Sequence, residues 1–554
     1  MSEVTDSTSP PPPEPVQERG PRRLALGLGL GVLSAVLLIL SFPQYGGIFP
    51  LVLIAFVPMY VAQYRLMPRR WTGVPVAISA LGYWGALWLT SKDLLLQYWP
   101  VLFAGAVLFA VGYGLIASLD VGFSERTGYR WFLLQLPLWW VALDLLVEDN
   151  LLFGSNGWLA YRLAYAPDLI QAVSIVSTPA LTLLILLVNA SVALWALRWW
   201  DLRRPAPPVD GVSQSATWER PSAVPHRTAV VASVTVLCLC FGWIVSSLLI
   251  ARHVEGSLAV APKVRVAAIQ PTSGLQAKAI YLPNEERPTA EQELARQAKQ
   301  QVQLERLTRQ AAAAGAALVV WPEAVLNYDP SEPRGQWISS LAAELQITLV
   351  SGYLADWPEP ESPNMAAVWG PDGRMQGRTY KAHPVIAALE AFQTPTTNPT
   401  FETPFGELGV IICFDHDFPN DSPRLSVRNG AQILAIPSSD WGSIAQLRWQ
   451  SLVFRAVENR VPLVKAETGY DSAIVAADGR PLEKVGFSEA QSREAVLVQD
   501  VGLGPRGAPF TSIGGWWFGL LVLVATCARY AAQVLMWRRS LRGQSPDGPA
   551  SVSK

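Results

Sequence analysis

"GVIICFDHDFPN", residues 409–420, is a run of branched apolar residues that ends in a cysteine, after which the polarity changes at once. The run reads as a buried strand. The thiol at its end is then either a small core hydrophobe or a nucleophile at the mouth of a sheet. The sequence around it decides what kind of sheet this is. From 264 onwards short apolar strands alternate with helical stretches: "VRVAAIQ", a polar and alanine-rich helix near 289–314, "AALVVW", a helix near 336–346, and "ITLVSGY". "LGVIICF", "AQILAIP", a helix near 443–459, "VPLVKAE", "SAIVAAD" and "EAVLVQD" follow. The pattern predicts a single α/β domain of roughly 250 residues with a substantial core.

The rest of the chain is different material. Of 554 residues, 50% are hydrophobic and 16% charged, and the mean hydropathy is +0.24. A soluble protein carries about a quarter charged residues, so this composition points to a membrane. A formal net charge of −1 provides no basic face for nucleic acid. Cys238, Cys240 and Cys527 lie inside membrane-length apolar runs, so the 4 cysteines form neither a disulfide framework nor a zinc site. Residues 1–23, with "STSPPPPEPVQERGPRR", are expected to be a disordered tail. Apolar stretches near 20 residues predict transmembrane helices at roughly 24–42, 47–63, 72–90, 99–119, 131–147, 170–197, 229–251 and 512–536. Arginines cluster in the N-terminal tail, at 65–70, at 126–130, at 203–227 and in the tail 537–554, in alternate loops. The positive-inside rule then places both termini in the cytoplasm. A membrane domain over 24–251 would have about seven helices, which puts 252–511 on the outer face and leaves 512–536 as the last span.

Within the α/β domain three residues follow or end strands, where such sheets present functional groups. They are Glu323 in "ALVVWPEAV", Lys381 in "GRMQGRTYKAHPV" and Cys413. Taken singly, each has a plainer explanation: a solvated loop glutamate, a snorkelling lysine, a buried thiol. Together, "VVWPE", "YK" and "IIC" in that order resemble the nitrilase superfamily of carbon–nitrogen hydrolases, and "FRAVENRVPLVKAETGYDSAIVAADGR" resembles its helix–strand–hairpin signature. The resemblance spans roughly 264–500 and implies an α-β-β-α sandwich. It also implies a catalytic triad, with Cys413 as nucleophile, Glu323 as general base and then acid, and Lys381 as the cation facing the oxyanion. A helix starting at Asp421 or Ser422 and a nearby ammonium would be expected to depress the thiol pKa. His416 stands too close along the chain to hold a proton on the thiol, so His383 and His416 are taken as pocket or surface residues.

A nitrilase-like domain inserted between the last two of about eight membrane helices resembles the apolipoprotein N-acyltransferase family. "LWWVALDLLVEDNLLFGSNGWLA" and "LLILLVNAS" resemble that family's fifth-helix loop and the end of its sixth helix. The resemblance implies a phospholipid acyl donor, a thioester on the cysteine, and an acceptor with an N-terminal diacylglyceryl-cysteine. It further implies a bacterial inner-membrane protein with its catalytic domain on the periplasmic face. No cofactor or metal is expected, and the protein is expected to be a monomer. The chain departs from the family pattern at Phe414 and Asp415 after the nucleophile, at "KAHPVIAALEAF", where Glu390 is a loose counterpart, at "SSDWGS", and at Asp144. Apolar loops near 386–400 or 441–448 are candidate lids. Alternative functions are a membrane-anchored amidase or hydrolase using water, and a membrane protein with a decayed nitrilase domain.

Overall fold

A computed structural model describes residues 19–89, 99–148, 154–203, 222–272, 288–355, 362–385, 390, 397–440, 442–485, 493–504 and 507–542. Of the candidate lids, 386–389, 391–396 and 441 lie outside these residues. The membrane part contains α1 (Arg19–Leu40), α2 (Val74–Leu89), α3 (Trp99–Arg126), α4 (Leu136–Val147), α5 (Thr178–Arg203) and α6 (His226–Val260). Among the described residues seven helical stretches are long and apolar enough to cross a bilayer, and Phe132–Val147 is a shorter apolar helix. The second stretch, Phe49–Leu66, is a broken helix with prolines at 50 and 58. Asn189 of α5 repairs it: its Oδ1 accepts from Phe56 N at 3.0 Å and its Nδ2 donates to Val52 O at 2.9 Å. In a bilayer such freed backbone groups need a protein partner.

Three helix ends fall beyond the apolar runs. α1 begins at Arg19, so residues 19–23 of the expected tail are helical, and Arg23 donates to Arg65 O at 3.0 Å. α6 continues to Val260, past the end of its apolar run at 251, and the last span continues to Arg542. Once nucleated, a helix propagates through polar residues that carry on its hydrogen bonds.

The α/β domain is built from two six-stranded sheets. The first contains β1 (Lys263–Gln270), β2 (Leu318–Val320), β3 (Thr348–Leu354), β4 (Asn364–Trp369) and β5 (Met375–Tyr380). The second contains β6 (Thr400–Thr403), β7 (Gly406–Val410), β8 (Ile433–Ser438), β9 (Leu463–Glu467), β10 (Ala473–Val475) and β11 (Pro481–Lys484). The last strand, β12 (Ala495–Gly502), returns to pair antiparallel with β1, giving the orders β12-β1-β2-β3-β4-β5 and β11-β10-β9-β8-β7-β6. Each sheet has a parallel centre, β1-β2-β3 or β7-β8-β9, with antiparallel edges.

Side chains such as Val266, Val320, Val350, Val410, Ala435 and Val464 meet between the sheets. Helices α7 (Ala290–Ala313) and α8 (Gln336–Leu345) cover the outer face of the first sheet. A reciprocal capping box starts α7: Gln292 N donates to Thr289 Oγ1 at 3.2 Å, and Thr289 N donates to Gln292 Oε1 at 2.8 Å. Helices α9 (Ser422–Arg428) and α10 (Gly442–Asn459) cover the second sheet. The result is an α-β-β-α sandwich. In its second helical layer α10 packs toward the membrane part: Leu447, Leu452, Phe454 and Val457 belong to one apolar core with Phe42, Tyr83, Trp140 and Leu159. The chain leaves the domain through the short helix Pro509–Ile513 and ends in α11 (Trp516–Arg542).

Candidate active site

Glu323 follows β2 on a loop held between the sheets, where its N–H donates to Ser438 O at 3.4 Å. Ala324 beside it adopts φ +50°, a conformation uncommon for residues with a side chain. Gly352 of β3 passes close beneath: a Cβ there would lie 2.5 Å from Glu323 Cα and 2.6 Å from Pro322 O. Lys381 follows β5, anchored by its N–H to Asn364 O at 2.9 Å. Its ammonium donates to Glu323 Oε1 at 2.8 Å and to Glu390 Oε1 at 2.9 Å. Asn364 Nδ2 donates to the same Glu323 oxygen at 2.8 Å. Glu323 and Lys381 are buried. Burial alone would lower the Lys381 pKa, but Glu323 and Glu390 hold it well above the ordinary lysine value. The site therefore contains a fixed cation.

Cys413 opens a 3-10 turn, Cys413–Asp417, with φ +46°. A non-glycine residue held there stores strain of about 1–3 kcal/mol, a feature common at reactive positions. Asp415 links this turn to the lysine loop. Its carboxylate accepts from Ile412 N at 2.9 Å and from His383 N at 2.8 Å. His383 is buried, stacks on Phe418 with ring centres 3.7 Å apart, and lies 3.0 Å from Asp415 and 3.1 Å from Asp421. Burial disfavours its charge, but the bonds to Asp415 and Asp421 outweigh it and push its pKa up to about 9.

The expectation of a depressed thiol pKa is corrected by the structure. The helix begins at Ser422 as expected, but a separate 3-10 turn, Cys413–Asp417, stands between it and the thiol, and Cys413 is only 5% exposed. Burial, with Glu323 adding to it, pushes the thiol pKa well up, while Lys381 opposes the shift. The enclosure of Cys413 therefore favours the neutral thiol. His416 is fully buried, and its Nδ1 faces the Cys413 carbonyl oxygen rather than the sulfur. Burial pushes its pKa well down; it is not a surface residue, and with Nδ1 on the carbonyl it forms no Cys–His pair through that nitrogen.

Sequence reasoning missed a buried chain of charges behind the thiol. Asp440 Oδ1 lies 3.8 Å from Cys413 Sγ, and Arg448 Nη2 lies 4.0 Å from it. Arg448 also pairs with Asp417 and, at 3.3 Å, with Asp440. Lys465 Nζ holds Asp440 Oδ2 at 2.7 Å and also pairs with Glu467. Asp440, Arg448 and Lys465 were visible only as ordinary letters in "SSDW", "QLRWQ" and "VKAE". Glu390 and Asn364 also gave little signal, since their partners come from other strands.

Helix α10 and its neighbours join this site to the segment between α4 and α5 of the membrane part. Two turns beyond Arg448, Arg455 Nη2 reaches Tyr161 Oη at 3.3 Å and Glu458 Oε2 at 2.8 Å. Arg162 Nη1 donates to Gln450 Oε1 at 2.8 Å, and Arg460 Nη2 donates to Ser174 Oγ at 2.9 Å. Asn420 Nδ2 donates to Glu148 Oε1 at 2.7 Å, and Ser155 N donates to Asp417 O at 2.8 Å.

Comparison with known proteins gives two family matches. Residues 257–504 match the carbon–nitrogen hydrolase family, and residues 34–191 match the apolipoprotein N-acyltransferase N-terminal domain. The chain is 29% identical to the apolipoprotein N-acyltransferase of Geobacter metallireducens over 86% of this chain and 89% of that one. It is 27% identical to the omega-amidase of Homo sapiens over 35% of this chain and 80% of that protein. A solved amidase from Nesterenkonia sp. AN1 is 19% identical, with a TM-score of 0.35 over 46% of this chain and 96% of that one.

Proposed function

The chain is a divergent member of the apolipoprotein N-acyltransferases within the nitrilase superfamily, and from this premise we propose that Cys413, Glu323 and Lys381 carry out its acyl transfer. The observation that carries the proposal is the buried Lys381–Glu323 contact, 2.8 Å long, set beside a strained cysteine at a strand end. In the first half-reaction the Cys413 sulfur attacks the ester carbonyl of a phospholipid while Glu323 takes the thiol proton. Lys381 faces the oxyanion, a placement that is commonly a large electrostatic term. Collapse of the tetrahedral species expels the lysophospholipid alkoxide, which takes the proton back from Glu323. The enzyme is left as a thioester.

In the second half-reaction the α-amine of a diacylglyceryl-cysteine attacks the thioester carbonyl. Glu323 accepts the amine proton and returns it to the departing sulfur, and the product is an amide. A neutral resting thiol suits this cycle, because sulfur is deprotonated only as it attacks and leaves as a thiol. The apolar continuity between the second helical layer and the membrane helices supports lipid substrates whose tails stay in the bilayer. We further propose that the domain lies on the periplasmic face, a reading that the alternating arginine loops support.

The test is single-turnover labelling. With phospholipid alone, the protein should gain one hydroxylamine-sensitive acyl group at Cys413 and release little free acid, since a thioester lasts only where water is excluded. A peptide with an N-terminal diacylglyceryl-cysteine should discharge it to the amide. Cys413→Ser and Cys413→Ala should form no acyl-enzyme. Glu323→Gln should stall acylation, and Lys381→Met should cost roughly 2.7–4 kcal/mol of barrier, as loss of other oxyanion donors does. A serine variant keeping a tenth of wild-type turnover would overturn the nucleophile. Rapid release of free acid, unchanged by the acceptor, would make the protein a hydrolase.

A further inference from the structure

A lipid-sized cavity lies at the end of the membrane domain far from the catalytic domain. Helix α6 contains 35 residues and so extends about 50 Å at 1.5 Å per residue. Its last residue, Val260, adjoins the catalytic domain. Its first turn is tied to the turn after α3, where Thr228 Oγ1 donates to Gly128 O at 3.0 Å. Between the end of α3 and the middle of α11 there is a cavity of about 710 Å³. Arg69, Arg126, Thr72, Ser118, Tyr530 and Gln533 are among the residues lining it. It therefore opens in the leaflet opposite the catalytic domain and is separate from the site described above.

The lining is matched to an anion. Arg126 is exposed and has no ion-pair partner among the described residues, while Arg69 is paired at 2.8 Å with Glu125 on the same rim. Two guanidinium groups against one carboxylate leave the mouth with net positive charge. Two enclosed polar atoms, Tyr530 Oη and Gln533 Oε1, have no hydrogen-bond partner among the described residues, although buried polar groups are normally satisfied; the Arg529 guanidinium lies 4.3 Å from the Tyr530 ring centre. Trp71 is 49% exposed, with the Arg70 guanidinium 6.0 Å from its ring centre, and Trp131 is 41% exposed. Exposed tryptophans beside arginines mark the headgroup level of a bilayer.

What lies above the cavity identifies the source of the anion. On α3 the exposed residues Val111, Leu115 and Leu119 form a stripe at helical spacing that ends at the cavity, which Leu119 lines. On α11 Leu520, Val524 and Val534 are also exposed, and Val534 lines the cavity. A free phosphate would have no use for these stripes, whereas acyl chains would lie along them. We infer that this cleft between α3 and α11 binds an anionic phospholipid, with its phosphate between Arg69 and Arg126, its headgroup hydroxyls reaching Tyr530 and Gln533, and its tails on the two apolar stripes.

The test uses full-length Cys413→Ala protein, so that no lipid is consumed as acyl donor. The protein is stripped in neutral detergent and titrated with phosphatidylglycerol or phosphatidylcholine, and bound lipid is counted by native mass spectrometry. Phosphatidylglycerol should be retained in preference. Affinity should fall about fivefold for each guanidinium removed in Arg69→Gln and Arg126→Gln, the factor a basic residue near an anionic surface typically contributes. The doubly substituted Arg→Lys protein should keep its preference, which guards against misfolding as the cause. Equal retention of the two lipids, or an unchanged preference in the double Gln variant, would overturn the inference. So would displacement of the lipid by inorganic phosphate at equal concentration, which would assign the cleft to a free anion.

Discussion

Cys413 is enclosed, and its resting state is set by what encloses it. Burial pushes its pKa well up, Glu323 adds to the shift, and Lys381 only partly offsets it. Above pH 7 the thiolate fraction therefore stays small until the pH passes the ordinary cysteine range, and alkylation should follow the same curve. Iodoacetamide should modify Cys413 far more slowly at pH 8 than it does a free thiol, with the rate still climbing at pH 10, as read by mass spectrometry of the peptide. A rate that levels off below pH 8 would mean a stored thiolate. The sequence made Glu323, Lys381 and Cys413 legible because each sits at a strand end in a recognisable order. It could not show the thiol's protonation state. That depends first on burial and on Glu323, and to a smaller extent on Asp440 and Arg448, which approach the sulfur to 3.8 and 4.0 Å from another loop and helix.

At the level of elements, the glutamate loop depends on the bare backbone of β3. A methyl group at Gly352 would overlap Glu323 Cα at 2.5 Å and Pro322 O at 2.6 Å, both backbone atoms with no rotamer to yield. Gly352→Ala should therefore lower stability by about 1–3 kcal/mol, as overpacking of a filled interior typically does. It should also reduce acyl-enzyme formation more than that loss explains, because the carboxylate moves with the loop. Thermal unfolding paired with single-turnover labelling would check both. Most elements could be placed in advance. The expected helices near 289–314, 336–346 and 443–459 occur at Ala290–Ala313, Gln336–Leu345 and Gly442–Asn459. Residues 47–63 were harder, since hydropathy reads length and apolarity and cannot see that a distant Asn189 lets a helix break. The ends of α1, α6 and α11 were hidden for a related reason: helical hydrogen bonds continue where apolar side chains stop.

At the scale of the whole molecule, the alternating arginine loops predict an orientation that can be measured. In a background without native cysteines, Val302→Cys on α7, at a position 67% exposed, should react with a membrane-impermeant maleimide once any outer barrier is opened. A cysteine replacing exposed Arg130 should react only after the inner membrane is disrupted. The reverse pattern would invert the topology and put the catalytic domain in the cytoplasm.

The docking of α10 has a practical consequence for anyone wishing to study the catalytic domain by itself. Arg455 and Glu458 are fully buried, and their partners Tyr161 and Thr178 belong to the membrane part. Excising residues 257–504 would strip away those partners and open to water an apolar helix whose Phe454 and Trp449 lie 5.0 Å, between ring centres, from Tyr161 and Tyr165. A truncated, soluble version of this enzyme should therefore aggregate rather than crystallise. Rescue would need the outer surface of α10 redesigned with polar residues, while Arg448, one helical turn from Leu452, is left in place to keep its contact with Cys413.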